Sequence, residues 1–285
     1  MSRRQRTLGA PVELSGTGLH EGRPASVRIT PAASGAGIVF RRTDLPGGPE
    51  VRVGPEGLGA AERRTRLVHD SAEVHTVEHL LAALLAARLD NVLIEIDGPE
   101  LPGLDGSAMP WAAALSQAGA VEQDGERRTL RLARAVAVAL DGASVAAIPT
   151  GRESLELSYT LDYSRQGLPP QHVEASLPGT DFAAEIAPAR TFVLAAEAAG
   201  LRAAGLGRGA TPENTLVLAR DGQPVEGSLR FPDEPARHKM LDLLGDLALL
   251  GADLQARVVA VKSGHRAHHE LVRRLAAELA HEEAG

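Results

Sequence analysis

Three short clusters in this chain combine residue types and spacings that can do chemistry. His75, Glu78 and His79 spell H-x-x-E-H. On a helix, two histidines four positions apart share a face and can hold one zinc ion. The adjacent glutamate then serves as general base, which is the inverzincin metallopeptidase signature. The same spacing also suits a histidine that merely starts a helix. The second cluster is R-H-K-M-L-D-L-L-G-D. On a helix with His238 set at 0°, Asp242 falls at about 40°, Asp246 at about 80° and Lys239 at about 100°. Histidine and aspartate at i, i+4 are metal-ligand types at metal-ligand spacing, although an ordinary amphipathic helix with a solvated polar face has the same pattern. The third cluster is K-S-G-H-R-A-H-H, where His265 follows a strand and a glycine at the mouth of a helix. That is a usual place for a functional side chain on an α/β layer. His268 and His269, one turn later, read as surface histidines.

Together these clusters point to a zinc hydrolase. Such a site needs three protein ligands and one open position for water. A carboxylate must take a proton, and a cation or hydrogen-bond donor must hold the oxyanion. Glu78, His265 and Thr191 can fill those posts. Only two of the 30 basic residues are lysines, Lys239 and Lys262, and they lie near each other in the sequence. A compact, mobile ammonium is not equivalent to a planar guanidinium, although chance survival accounts for the pair as well.

The elements that must position these residues alternate between strands and helices. Residues 11–53 read as strands joined by turns, and 75–90 as a helix with leucines at helical spacing. A strand over 91–98 and a second helix ending at Gly119 follow. The polar stretch Gln123–Arg128 is the best candidate linker. Strands, a helix, a strand and a final helix then come again. The predicted fold is α+β: two similar α/β sandwich domains, 1–123 and 129–280, each a β-sheet layered with helices, with the active site between them. A segment at about 193–222 looks inserted, with a short Ala-rich helix, a Gly-rich turn and a strand.

Composition narrows the function. The chain has 285 residues and no cysteine, which excludes disulfides, cysteine nucleophiles and cysteine-bearing zinc sites. A formal net charge of −7 argues against a broad phosphate-binding face, so no nucleic-acid partner is expected. The basic N-terminal residues are followed by no apolar stretch of the signal-peptide kind, and no run of about 18 apolar residues occurs. The expectation is a cytoplasmic protein, a monomer without stable membrane insertion.

Several motifs in order carry a family resemblance. SGTGLHEG, FRRTDLP, TVEHLLAAL, LDNVLIEIDGPELPGLDGSAMP, ARTF, ARHKMLDLLGDLALLG and the SGH after Lys262 run nearly end to end. The chain resembles the UDP-3-O-acyl-N-acetylglucosamine deacetylases, the zinc amidases of lipid A biosynthesis. The resemblance implies zinc, with Fe2+ as the alternative metal, on His79, His238 and Asp242. It implies Glu78 as general base, His265 as the cationic acid, Asp246 as its partner and Thr191 as an oxyanion donor. Lys239 would contact UDP-3-O-acyl-N-acetylglucosamine, Phe192 would pack by the sugar, and the inserted segment would form the acyl-chain passage. It also takes His75 out of the metal site. In the family that position is usually not histidine, which sets the metallopeptidase reading below the deacetylase. Two further alternatives are a deacetylase of a different acylated amino sugar and a sugar-nucleotide-binding protein that lost turnover. Two stretches depart from the family pattern: GATPENTLV, where a Gly-Gly-Ser-like turn is common, and Arg266–Ala267–His268, where Ala-Leu-Asn or Ser-Ile-Asn is common.

Overall fold

The apolar residues of the predicted strands alternate, and alternation leaves one face of each sheet in need of cover. The computed structural model, which describes residues 3–60 and 62–284, meets that need with helices. In the first half, β1 (Arg4–Leu8), β2 (Val12–Thr17), β3 (Pro24–Pro31), β4 (Ile38–Arg42) and β5 (Glu50–Arg52) are followed by the hairpin β6 (Arg66–His69) and β7 (Ala72–His75). Then come α1 (Glu78–Ala86), β8 (Val92–Ile96), α2 (Met109–Ala118) and β9 (Ala120–Glu126). The second half runs β10 (Thr129–Arg131), β11 (Val136–Leu140), β12 (Ala143–Ile148), β13 (Leu155–Tyr163), β14 (Leu168–Leu177) and α3 (Phe182–Glu185). It continues with β15 (Phe192–Leu194), α4 (Ala195–Ala203), β16 (Leu216–Leu218), α5 (Glu234–Leu247), β17 (Asp253–Val261) and α6 (His265–Ala284).

Two sheets follow one plan. The first has the order β2-β3-β8-β4-β5 and the second β11-β12-β17-β13-β14, with β10 added alongside β17. Pairing senses along each are antiparallel, antiparallel, parallel, antiparallel. In each sheet the last strand in sequence inserts at the centre, after a helix. On β8, Val92, Ile94 and Ile96 are buried, and on β17, Leu254, Ala256, Val258 and Ala260 are. The expected α+β class holds, with helices covering sheets, and α1 corresponds in position to α5 and α2 to α6.

The two halves meet where α1 packs on α5. Every residue of α1 from Glu78 to Leu84 is buried, so this helix is apolar nearly all round, as a helix between two layers must be. Gly245 allows the approach: a Cβ there would sit 2.1 Å from the Glu78 carbonyl oxygen. The glycine of the second cluster is thus a contact point between helices. Extra chain enters both halves at the same place, before the α1/α5 helix: β6–β7 in the first, and β15, α4 and β16 in the second.

Two sequence expectations change. His75 does not lie on a helix. It ends β7, and the chain turns at Thr76, with φ +60°, before α1 begins at Glu78. The i, i+4 geometry assumed for H-x-x-E-H therefore does not exist. The polar stretch Gln123–Arg128 is also no slack tether. Residues to Glu126 form β9, paired antiparallel with β1, and Arg127 reaches Asp90 and Asp253 at 3.1 and 3.3 Å. Its polarity suits an exposed strand as well as a loop.

Candidate active site

The site gathers at the first turn of α1, one stripe of α5 and the start of α6. His79 comes from α1, and His238 and Asp242 from α5, all three buried. One ligand atom from each lies within 4.8 Å of the others. The two histidine Nε2 atoms stand 3.7 and 3.5 Å from Asp242 Oδ1, with the rings 5.1 Å apart edge to face. His238 Nδ1 is 3.1 Å from the carbonyl of Ala189. A carbonyl only accepts, so Nδ1 carries the proton and Nε2 keeps its lone pair for a metal. Burial pushes the His238 imidazole down to about 4, which keeps it neutral, as a ligand must be. Burial alone would raise the Asp242 carboxyl, but Lys239 and His238 beside it hold it well below the usual range. Two imidazoles and a carboxylate are a donor set that fits a divalent zinc-like ion.

Glu78 and His265 flank this cluster, with Glu78 Oε1 and His265 Nε2 4.0 Å apart. Burial raises the Glu78 carboxyl, the direction that makes a carboxylate a better base. Burial also opposes charge on His265, but Asp246 overrides it and lifts the imidazole to about 9. His265 Nδ1 donates to Asp246 Oδ2 at 2.7 Å.

Asp246 serves more residues than its spacing on α5 foretells. Oδ2 also accepts from His268 Nδ1 at 2.8 Å, and Oδ1 is shared by the Thr65 hydroxyl and His269 Nε2, the latter at 3.2 Å. His268 and His269 are therefore not surface residues. At 0% and 7% exposure they are buried around a carboxylate that α5 carries inward, because the first turn of α6 lies against α5. Nothing in the sequence of Thr65 marked it: it lies just before β6, between polar neighbours.

Thr191 and Phe192 arrive through an anchor that sequence reading did not use. Arg190 of the A-R-T-F motif gives its backbone N–H and Nε to the fully buried Glu234 at 3.0 and 2.9 Å. Glu234 begins α5, so the two motifs are joined by one ion pair. Thr191 N–H donates to the Gly106 carbonyl at 2.8 Å, and the Phe192 ring lies edge-on to His238 at 6.2 Å. Lys239 Nζ donates to Asp242 Oδ2 at 2.7 Å, while Lys262 pairs with Asp162, also at 2.7 Å.

Glu78, His79, Thr191, Phe192, His238, Lys239, Asp242, Lys262 and His265 line one cavity of about 680 Å³, while Asp246 with its partners and the Arg190–Glu234 pair lie behind its wall. Val193, Leu194, Leu201, Leu206 and Val217 from the segment around β15, α4 and β16 give it an aliphatic wall. Arg63 and Glu197, 3.0 Å apart, join the extra chain of the two halves at its rim. Such a pocket, apolar on one side with converging polar groups at one end, is the usual form of a small-molecule site. His75 stands outside it, with Nε2 3.1 Å from Glu21 Oε1.

A family model described as UDP-3-O-acyl N-acetylglycosamine deacetylase matches residues 5–277. A UDP-3-O-acyl-N-acetylglucosamine deacetylase of Thermosynechococcus vestitus is 43% identical over 272 residues, 95% of this chain and 94% of its own. One of Myxococcus xanthus is 39% identical over 95% of this chain and 86% of its own, and one of a Nostoc strain 40% over 96% and 99%.

Proposed function

This chain belongs to the UDP-3-O-acyl N-acetylglycosamine deacetylase family, and we propose that it hydrolyses the N-acetyl group of UDP-3-O-acyl-N-acetylglucosamine, releasing acetate, in lipid A biosynthesis. The observation that carries this reading is the placement of Glu78 and His265, 4.0 Å apart, beside the cluster of His79, His238 and Asp242. In the proposal those three residues hold zinc, with Fe2+ as the alternative. When bound, the metal supplies Lewis acidity, which polarises an amide carbonyl and acidifies water.

The chain's own residues do the rest. Glu78 takes a proton from the attacking water, its carboxyl raised by burial toward the range where it can both accept and release one. His265 enters the reaction as a cation. It stabilises the tetrahedral oxyanion together with the Thr191 hydroxyl, then passes its Nε2 proton to the departing amine. Asp246 fixes the ring through Nδ1 and keeps it charged. Lys239 contacts the substrate, the Phe192 face packs by the sugar, and the aliphatic wall over about 193–222 takes the acyl chain. The enzyme is read as a cytoplasmic monomer of two domains, 1–123 and 129–280. Among the described residues no helix is long and apolar enough to cross a membrane.

The test is acetate release from UDP-3-O-(3-hydroxyacyl)-N-acetylglucosamine by zinc-loaded protein at several acyl lengths. Turnover that disappears in His238→Ala supports the reading. A zinc-loaded protein that cleaves only another acylated amino sugar, or binds and cleaves nothing, overturns it. The metallopeptidase reading has lost its geometry, since His75 and His79 share no helix face.

A further inference from the structure

Thr65 touches both sides of the acid–base pair without lining the cavity. It is fully buried. Its backbone N–H donates to Glu78 Oε2 at 3.1 Å, and its carbonyl accepts from Thr76 N–H at 3.0 Å, at the turn that launches α1. Its hydroxyl meets Asp246 Oδ1, His269 Nε2 at 2.9 Å and His265 Nδ1 at 3.2 Å.

The proton order in this group follows from which atoms can only accept. Asp246 is held ionised by the histidines around it, although its burial works the other way. Its oxygens therefore only accept, and the single hydroxyl proton of Thr65 goes to Oδ1. The Thr65 oxygen is then left as an acceptor, and His269, carrying its proton on Nε2, donates to it. His268 donates from Nδ1 to Oδ2, while the Ser263 hydroxyl, 2.8 Å away, donates to its Nε2. His265 Nδ1 lies nearer to Oδ2, at 2.7 Å, than to Thr65, and donates there. The chain His269 to Thr65 to Asp246 holds the carboxylate against rotation, and the carboxylate aims His265. A group that depends on so many fixed donors is sensitive to the loss of one.

We propose that Thr65 is a positioning residue of the deacetylation: its N–H holds Glu78, and its hydroxyl, oriented by His269, holds Asp246 and through it His265, so that one residue sets proton acceptor and proton donor against each other. The proposal rests on the function given above. It assigns a role to the β6–β7 extension, which brings Thr65 to the site.

Thr65→Val removes the hydroxyl at nearly constant volume and leaves the backbone N–H on Glu78, so it tests the Asp246 arm alone. In zinc-loaded protein, kcat should fall about 10- to 100-fold, as supporting hydrogen bonds around a site typically cost, with KM within about twofold. Zinc content and the melting transition should stay near wild type, and Thr65→Ser should restore kcat to within about threefold. Unchanged kcat in Thr65→Val, or a Thr65→Ser variant as slow as Thr65→Val, overturns the proposal. Where valine perturbs packing, Thr65→Ala paired with Thr65→Ser gives the same contrast. A second readout does not need turnover. With 15N-labelled histidine, the Nδ1–H resonance of His265 should shift or broaden in Thr65→Val and recover in Thr65→Ser. If the wild type releases no acetate, the functional reading fails while this resonance still decides the role of Thr65: an unmoved signal sinks it.

Discussion

The first and second halves of the molecule carry the same strand order and the same pairing senses, yet load their corresponding helices differently. Helix α1 gives the site only its first turn, Glu78 and His79, and is apolar thereafter. Helix α5 gives a stripe about two turns long: His238, Lys239, Asp242 and Asp246. The difference follows from how the helices meet. They come closest where Gly245 touches the backbone of Glu78, so only the start of α1 reaches the cluster, while α5 runs along it. A repeated scaffold thus makes a shared groove, and the chemistry within it is unequal. The extra chain is unequal in the same way. In the first half it brings Thr65 to the polar end, and in the second it builds an aliphatic wall.

This comparison can be broken most directly on the α5 side. His238→Ala, or exhaustive chelation of the wild type, should remove acetate release altogether and lower bound zinc, read by metal analysis. On the α1 side, Glu78→Ala should cut the rate about 10²- to 10⁴-fold while metal stays bound. Loss of both together would make Glu78 a ligand and erase the division of labour between the helices. The pH dependence sharpens it further. His265 is raised to about 9 from an ordinary 6.5, so the charge it needs, and the stability its pairing with Asp246 contributes, are complete below about 6.5 and are lost as pH rises through about 9. Glu78 is raised too, so activity should fall on the acid side as its carboxylate protonates. A rate profile with no alkaline limb would contradict the role of His265.

Smaller effects test the junction and the discarded ligand. Gly245→Ala puts a methyl group into the Glu78 carbonyl, and overpacking of this kind costs about 1–3 kcal/mol. Thermal melting should drop by several degrees, at about 2–4 °C per kcal/mol for a chain of this size. His75→Ala should leave zinc content unchanged and activity within about twofold, with stability lowered by loss of the buried ring and its contact to Glu21. Loss of zinc there would restore a two-histidine contribution from the first half.

The polar stripe of α5 was legible because helical periodicity is local: His238, Asp242 and Asp246 share it whatever lies around the helix. H-x-x-E-H misled for the opposite reason. Its spacing has meaning only on a helix, and a single positive φ at Thr76 ends the strand and starts α1 between the two histidines. His268 and His269 looked like surface residues because their neighbours Arg266 and Glu270 are polar, and burial is settled by what α6 packs against.

Element order, the α5 stripe, the glycine before His265 and the apolar alternation that demands helices on each sheet are written in the chain. All of these arise from contacts within a few residues. That α1 meets α5 at Gly245, that Arg190 anchors Thr191 to Glu234, and that Thr65 joins Glu78 to Asp246 came from packing. Those contacts close loops of 13 to 181 residues, and no local pattern records which distant groups the packing of two layers will bring together.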